Sequence, residues 1–167
     1  MRDKIHMEEQ RLVDFGSMDN KYFLIGVMNT FNNRFQATAD RCFKEISWKQ
    51  CFVLNCIQLF KNPPTLKEVS DLIGSSHQNV KQLILKLEKC GYVKMVPDEK
   101  DGRKQRIILT NLVEKIDQKY SKMSNNIMNE IFEGIEEQAL QTTINTLIHL
   151  CSTLEKGECH NEYNGCI

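Results

Sequence analysis

The chain has 167 residues, enough for one domain with a sizeable core, or for one domain plus an oligomerisation extension. Its 41% hydrophobic and 26% charged residues are typical of a soluble globular protein, and no apolar run approaches the roughly 18 residues of a membrane span. The net charge is zero, but residues 61–106 hold ten Lys/Arg and six Asp/Glu, a balance of +4, so the remainder sums to −4.

The first two predicted elements are helices. Apolar residues recur at helical spacing from Asn20 to Ala37, which predicts the first helix. The second is predicted to begin near Ser47, where Ser47 and Gln50 have the spacing of a capping box. It continues through Phe60 until Asn62-Pro63-Pro64 stops it.

Two shorter helices joined by a tight turn follow. Thr65 and Glu68 open the third helix with another capping box, and Gly74 ends it where a left-handed backbone is needed. Ser76 is the predicted N-cap of the fourth helix, which ends at Gly91. The predicted buried faces of these helices are Leu66, Val69, Leu72 and Ile73 in the third and Val80, Leu83, Ile84 and Leu87 in the fourth.

A strand, a charged loop and a second strand come next. The strands are predicted at 93–96 and 105–109, and the eight residues between them exceed the ~2–5 residues of a tight hairpin. The loop is therefore predicted to project as a wing. The fold class is mainly α (α+β), with a winged helix-turn-helix over residues 47–110, an arrangement that places one helix in a DNA groove.

The remainder of the chain is predicted to be helical. One helix of about 25 residues runs from Leu112 to Ile135, with Gly134 near its end. The last helix carries a heptad seam, which packs against another helix in the same subunit or in a partner. The seam consists of Leu140, Ile144, Leu147, Cys151 and Leu154.

Polar residues at the start of the fourth helix are candidates for DNA contact, because a major groove about 12 Å wide admits one helix and its N-terminal residues reach the bases. Glutamine side chains can pair with an adenine edge, and histidine or lysine can donate to guanine or phosphate. Serine hydroxyls and free backbone N–H groups suit phosphate oxygens. Within this helix, no acidic residue precedes Glu88. The candidates are Ser75, Ser76, His77, Gln78, Lys81, Gln82 and Lys86. The alternative is a polar face that is merely solvated.

The wing adds Lys100, Asp101, Arg103 and Lys104 to these candidates. Arginine at a hairpin tip can enter a narrow minor groove, and Asp101 can hold the Arg103 guanidinium in a bidentate pair before DNA arrives. The alternative is a solubilising turn, since Asp-Gly is common in turns.

These motifs resemble the MarR family of winged helix transcription regulators. The family pattern is a Gly-x-Ser turn, a recognition helix ending Leu-Glu-x-x-Gly, and a wing with Asp-x-Arg followed by Leu-Thr. The matching residues are Gly74, Ser76, Leu87, Glu88, Gly91, Asp101, Arg103, Leu109 and Thr110. The chain departs from the pattern at Val113, where the family often has Gly, and at His77 and Gln82, where it often has Arg.

The resemblance implies a single MarR-like domain over residues 1–167, with dimerisation helices at 18–40 and 111–156. It implies a homodimer that binds a pseudo-palindromic operator in double-stranded DNA. The predicted function is a sequence-specific regulator, a repressor released by a small ligand or a stress signal. No nucleophile motif, phosphate-binding Gly loop or carboxylate pair is found, so neither an enzyme nor a cofactor is predicted.

Other signals leave alternatives open. The aromatic residues Tyr22, Phe31, Trp48 and Phe52 could line an effector pocket, although ordinary core packing is the simpler interpretation. A non-DNA-binding interaction module on the same fold is a second alternative.

The cysteines raise a third alternative. Their odd number, seven, and their mostly helical context favour a reduced, cytoplasmic protein, and the N-terminal MRDKIHMEEQ has no signal-peptide core. Cys42, near Arg41 and Lys44, is the best candidate for a thiol-based redox sensor. Cys159, His160 and Cys166 lack the paired spacing of a zinc site, so no metal is predicted.

Overall fold

The computed structural model describes residues 18–155. Within this range the chain forms six helices and a two-stranded antiparallel sheet. The helices are α1 (Asn20–Cys42), α2 (Trp48–Gln58), α3 (Leu66–Ile73), α4 (His77–Lys89), α5 (Asn111–Phe132) and α6 (Glu137–Glu155), and the strands are β1 (Val93–Pro97) and β2 (Gln105–Leu109). The chain divides into two compact units after Asp117, within α5. None of the helices in residues 18–155 has the length and apolar character needed to cross a membrane.

Helix α1 extends five residues beyond the predicted end at Ala37. The added residues are Thr-Ala-Asp-Arg-Cys, which include no large apolar side chain, so hydrophobic periodicity did not predict this turn. It carries Asp40, whose carboxylate accepts a hydrogen bond from the Trp48 backbone N–H at 2.6 Å. This bond ties the end of α1 to the start of α2, so a contact eight residues along the chain supports a helical turn that local sequence does not signal.

Helix α2 begins as predicted and ends earlier. Ser47 and Gln50 form the capping box, with backbone-to-side-chain bonds of 2.9 and 3.3 Å. The helix ends at Gln58, so the prediction that it included Leu59 and Phe60 is wrong. These two residues form a tightened turn in which their N–H groups reach the carbonyls three residues back.

The helix-turn-helix follows the predicted capping pattern. Thr65 and Glu68 form the second capping box, Gly74 has φ of 61° in the left-handed region, and Ser76 caps α4. The prediction that Leu72 is buried is wrong, since it is 50% exposed. Ser70 on the same helix is buried instead, and its hydroxyl donates to the Leu66 carbonyl at 2.7 Å.

The core of the first unit lies beneath α4 and the sheet. Its innermost side chains are less than 2% exposed and come from every element between α2 and β2. They are Val53, Leu54, Val69, Val80, Ile84, Leu87, Val93 and Ile107. These contacts fix the inner face of α4 and leave its outer face free.

The strands pair from Val93 opposite Leu109 to Pro97 opposite Gln105, leaving residues 98–104 as the wing loop. The loop that precedes α3 joins this sheet, because Thr65 forms a bridge with Arg106 and the Ile107 N–H donates to the Pro64 carbonyl at 2.8 Å. The wing is therefore anchored on the helix-turn-helix by backbone hydrogen bonds.

The Leu-Thr motif joins the wing to α5. The Thr110 hydroxyl donates to the Gly91 carbonyl at 2.7 Å and accepts from the Leu112 N–H at 3.3 Å. Gly91 has φ of 81°, and a Cβ there would lie 3.3 Å from the Leu112 side chain. Gly91 and Thr110, which belong to two of the sequence motifs, thus hold the turn between α4 and β1 against the start of α5.

In the C-terminal part, α5 ends at Phe132 rather than Ile135, and Gly134, with φ of 74°, follows as predicted. Helix α6 has no buried residue. Its predicted seam includes Ile144 and Leu154, which are both exposed within a single chain.

Candidate nucleic-acid interface

Hydrogen bonds of Ser75 and Ser76 order the turn before α4 and cap the start of that helix. The Ser75 N–H donates to the Ser70 carbonyl at 3.2 Å, and the Ser76 hydroxyl accepts from the Asn79 N–H at 3.3 Å. Ser76 therefore satisfies one of the free N–H groups that begin a helix. Its hydroxyl hydrogen is still available to a phosphate oxygen.

The outer face of α4 is polar and carries no carboxylate. His77, Gln78, Lys81, Gln82 and Lys86 are all exposed, as predicted from their spacing. The acid of the Leu-Glu-x-x-Gly motif points elsewhere. It is Glu88, half-buried, whose carboxylate accepts from the Met95 N–H on β1 at 3.0 Å. The motif glutamate thus secures the sheet, and phosphates approaching the outer face would meet only neutral and basic groups.

The wing tip presents Arg103, whose side chain is 96% exposed. Asp101 accepts from the Arg103 backbone N–H at 3.2 Å and contacts the guanidinium only through Nε at 3.5 Å. This is one side-chain contact instead of the bidentate pair that was expected. The other Asp101 oxygen lies 3.5 Å from Lys104 Nζ, and Lys100 is also exposed. Asp101 therefore supports the loop while leaving the guanidinium fork free.

A second arginine, absent from the predicted site, is far better anchored. Arg106 contacts Asp98, Glu68 and the Pro63 carbonyl. We call these four residues the Arg106 cluster. The sequence predicted the capping box at Glu68, but it did not predict the contact of the Glu68 carboxylate with an arginine 38 residues away.

The cluster perturbs the titration of its carboxylates. The hydrogen bond from Arg106, with further bonds from the N–H groups of Lys100 and Asp101, lowers the pKa of Asp98 to about 2. The pKa of Glu68 is also lowered, first by its hydrogen bonds to Thr65 and then by the charge of Arg106.

Replacing Arg106 with Gln is expected to raise the pKa of Asp98 toward its ordinary value of about 4. Because the folded pKa is depressed, the stabilisation from this pair is complete above about pH 5 and is lost as the pH falls from about 4 to about 2. The carboxyl carbon shift of Asp98, followed by NMR in both proteins, measures this. Equal midpoints in wild type and Arg106→Gln would contradict it.

The predicted aromatic group is only partly brought together. Trp48 lies 4.7 Å from Phe35 edge-on and 6.4 Å from Phe52, between ring centroids, and Phe31 stacks on Phe35 at 5.8 Å. Tyr22 is 75% exposed and lies outside this cluster. The aromatic cluster joins α1 to α2, which is a packing role, and its use as an effector pocket remains a prediction.

The cysteines in the described range are unpaired thiols. Burial raises the pKa of the Cys51 and Cys56 thiols, with the charge of Asp117 adding to the effect at Cys51. Such thiols carry little thiolate and are poor nucleophiles. Cys42 is half-buried, and redox sensing by it stays a prediction.

The predicted C-terminal group of Cys159, His160 and Cys166 lies outside the described residues. Within residues 18–155, no three His, Cys, Asp or Glu side chains come together in a way that could hold a metal ion.

Comparison with known proteins agrees with this geometry. Residues 47–111 match the family model of the winged helix DNA-binding domain. No curated protein matches the chain in sequence. The fold and the α4–wing arrangement thus define a winged helix module.

Solved structures extend the match over most of the chain. A MarR/EmrR family transcriptional regulator from Acinetobacter sp. ADP1 is 15% identical with a TM-score of 0.72, covering 83% of this chain and 99% of that one. MepR of S. aureus, solved with DNA, is 15% identical with a TM-score of 0.70, covering 81% and 99%. PcaV of Streptomyces coelicolor, solved with its natural ligand, is 14% identical with a TM-score of 0.69, covering 85% and 97%. The chain has the fold of the MarR-family regulators, and the fold that its motifs implied is therefore confirmed.

Proposed function

We propose that this chain is a sequence-specific, double-stranded-DNA-binding transcription regulator, a cytoplasmic homodimeric repressor released by a small ligand or a stress signal. The observation that carries the proposal is the exposed face of α4, which has no carboxylate and lies behind a capped turn and beside an anchored wing. The match of residues 47–111 to a winged helix DNA-binding domain supports it.

The roles within the interface follow from side-chain chemistry. Gln78 and Gln82, one turn apart on α4, each offer a donor and an acceptor to a base edge. His77, Lys81 and Lys86 supply donors to guanine or phosphate, while Ser75 and Ser76 meet phosphate at the helix start. On the wing, Arg103 enters the minor groove, flanked by Lys100 and Lys104.

Exposed apolar side chains support the homodimer. Helix α1 exposes five of them, and α6 exposes three. They are Tyr22, Leu24, Ile25, Val27 and Phe31 on α1, and Ile144, Ile148 and Leu154 on α6. Soluble proteins seldom leave such rows uncovered, and a second copy of the chain would bury them.

Support for an effector comes from the aromatic cluster on α1 and α2 and from PcaV, a protein of the same fold solved with its natural ligand. Such a ligand would release DNA by favouring a dimer geometry in which the two copies of α4 cannot both enter the major groove.

The proposal is tested by selecting bound fragments from random double-stranded DNA. We expect one enriched, pseudo-palindromic sequence and an affinity that falls with salt by a log–log slope of about −0.9 per neutralised phosphate. Equal binding to all sequences would contradict the proposed sequence specificity. Absence of binding would favour the alternative of an interaction module that does not bind DNA.

Two substitutions on the same helix separate base contacts from phosphate contacts. Gln78→Ala is expected to weaken binding to the selected sequence by about 1–3 kcal/mol while leaving nonspecific DNA nearly unaffected. Lys86→Ala should weaken binding to both DNAs alike and reduce the salt slope by about 1. Titrations of both variants against selected and scrambled DNA make the comparison, and a uniform loss for Gln78→Ala would contradict base readout.

A further inference from the structure

Arg106 connects three segments that are distant in sequence. From β2 its guanidinium donates to Asp98 at the base of the wing at 2.5 Å, to the Pro63 carbonyl at 3.1 Å and to Glu68 at 3.1 Å. One third of its side chain is exposed, and only 11% of that of Asp98. The guanidinium thus faces inward, toward the junction of the wing and the helix-turn-helix.

Both carboxylates in the Arg106 cluster also accept hydrogen bonds from backbone N–H groups. Asp98 accepts from the N–H groups of Lys100 and Asp101 at 2.8 and 2.9 Å, which shapes the first turn of the wing loop. Glu68 accepts from the Thr65 N–H at 2.7 Å as part of the capping box that starts α3. One guanidinium therefore joins the turn that opens the wing to the cap that opens the helix-turn-helix.

A backbone link lies beside these charges. The bridge between Thr65 and Arg106 and the bond from the Ile107 N–H to Pro64 attach β2 to the segment before α3. A two-stranded hairpin alone is marginally stable. With this link and the cluster together, the base of the wing has a defined direction relative to α3.

We infer that Arg106 is a positioning residue for DNA binding: through Asp98 and Glu68 it sets the direction of the wing relative to the helix-turn-helix, so that Arg103 reaches the minor groove while α4 occupies the major groove. The inference rests on the proposed function. A wing held in its bound direction before DNA arrives loses less conformational freedom on binding.

Two other roles for Arg106 are possible outcomes of a test. It could contact a phosphate directly, or it could only stabilise the fold. Asp98→Asn separates the first of these from positioning. Asparagine keeps an oxygen that can accept from the wing-loop N–H groups but loses the negative charge that holds the guanidinium. A direct phosphate contact predicts unchanged or tighter binding, because a negative charge near DNA is removed, whereas positioning predicts weaker binding.

The experiment measures affinity for the DNA selected by the wild-type protein, at one salt concentration. Arg106→Gln and Asp98→Asn are each expected to weaken binding about tenfold, the scale of one charge-assisted contact. Lys94→Gln is the matched control, since it removes one positive charge from an exposed position in the same sheet. It should stay within about twofold of wild type. Unchanged or tighter binding by Asp98→Asn would overturn the inference.

A double-mutant cycle supplies a readout that a merely structural role would not move. If Arg106 acts by placing Arg103, Arg106→Gln should cost little further affinity once Arg103 is replaced by Ala. Circular dichroism and thermal unfolding confirm that each variant is folded. Full additivity in folded variants would overturn the inference and leave the proposed function standing. A wild-type protein that binds no DNA would overturn both.

Discussion

Replacing Ile84 with Ala is expected to lower the free energy of unfolding by about 2–5 kcal/mol. The Ile84 side chain is 0% exposed, at the centre of the inner face of α4. Truncation removes buried methyl groups and leaves a cavity on the inner face that Ile84 shares with the fully buried Val80 and Leu87. Urea denaturation followed by circular dichroism, at a fixed protein concentration, measures the change.

The adjacent residue provides the control. Leu85 is 39% exposed on the same helix. Leu85→Ala therefore shortens an aliphatic side chain as Ile84→Ala does, with a similarly small change in helix propensity, but it opens no sealed cavity. Its expected effect is about 1 kcal/mol or less. Equal losses for the two variants would show that the inner face of α4 is not the one that holds the helix in place.

Replacing Ile144 with Glu is expected to convert the proposed dimer to monomer and to reduce operator affinity by about 10²–10⁴-fold. The residue lies on the predicted heptad seam of α6 and is 40% exposed within one chain. A charge buried there by a second subunit would have no partner. The dimer gains its affinity because binding of one half-site raises the local concentration of the second α4. Sedimentation analysis and DNA titration measure the two effects.

Thr142→Glu is the matched control for this change. Two residues away from Ile144, it places the same charge on the other side of α6, at an exposed position. The control should remain dimeric and bind the operator as wild type does. If Ile144→Glu also remains dimeric, α6 is not the dimerisation surface.

Local signals in the sequence predicted the helix starts well. The two capping boxes, at Ser47 and Thr65, and the left-handed Gly74 occur where they were expected. Each depends on bonds between residues no more than four positions apart, so the information needed to recognise it is contiguous in the chain.

Features that depend on distant contacts were harder to predict. The extra turn of α1 depends on a bond from Trp48 to Asp40, and the exposure of Leu72 depends on how α3 is rotated against its neighbours. The Arg106 cluster joins Glu68 to a residue on β2, 38 positions later. From the sequence alone, a charged residue such as Arg106 is taken to be solvated, because its distant ion-pair partner cannot be identified.

The outer face of α4 is independent of the contacts that maintain the fold. In the described structure, the side chains of His77, Gln78, Lys81 and Gln82 make no hydrogen bond or ion pair, while Glu88 faces inward to β1. Substitutions at these four positions that preserve the helix are therefore expected to change folding stability little. Duplicated copies of such a gene could diverge toward separate operators by changing this surface alone, and a library randomised at these positions should yield mostly folded proteins with altered DNA targets.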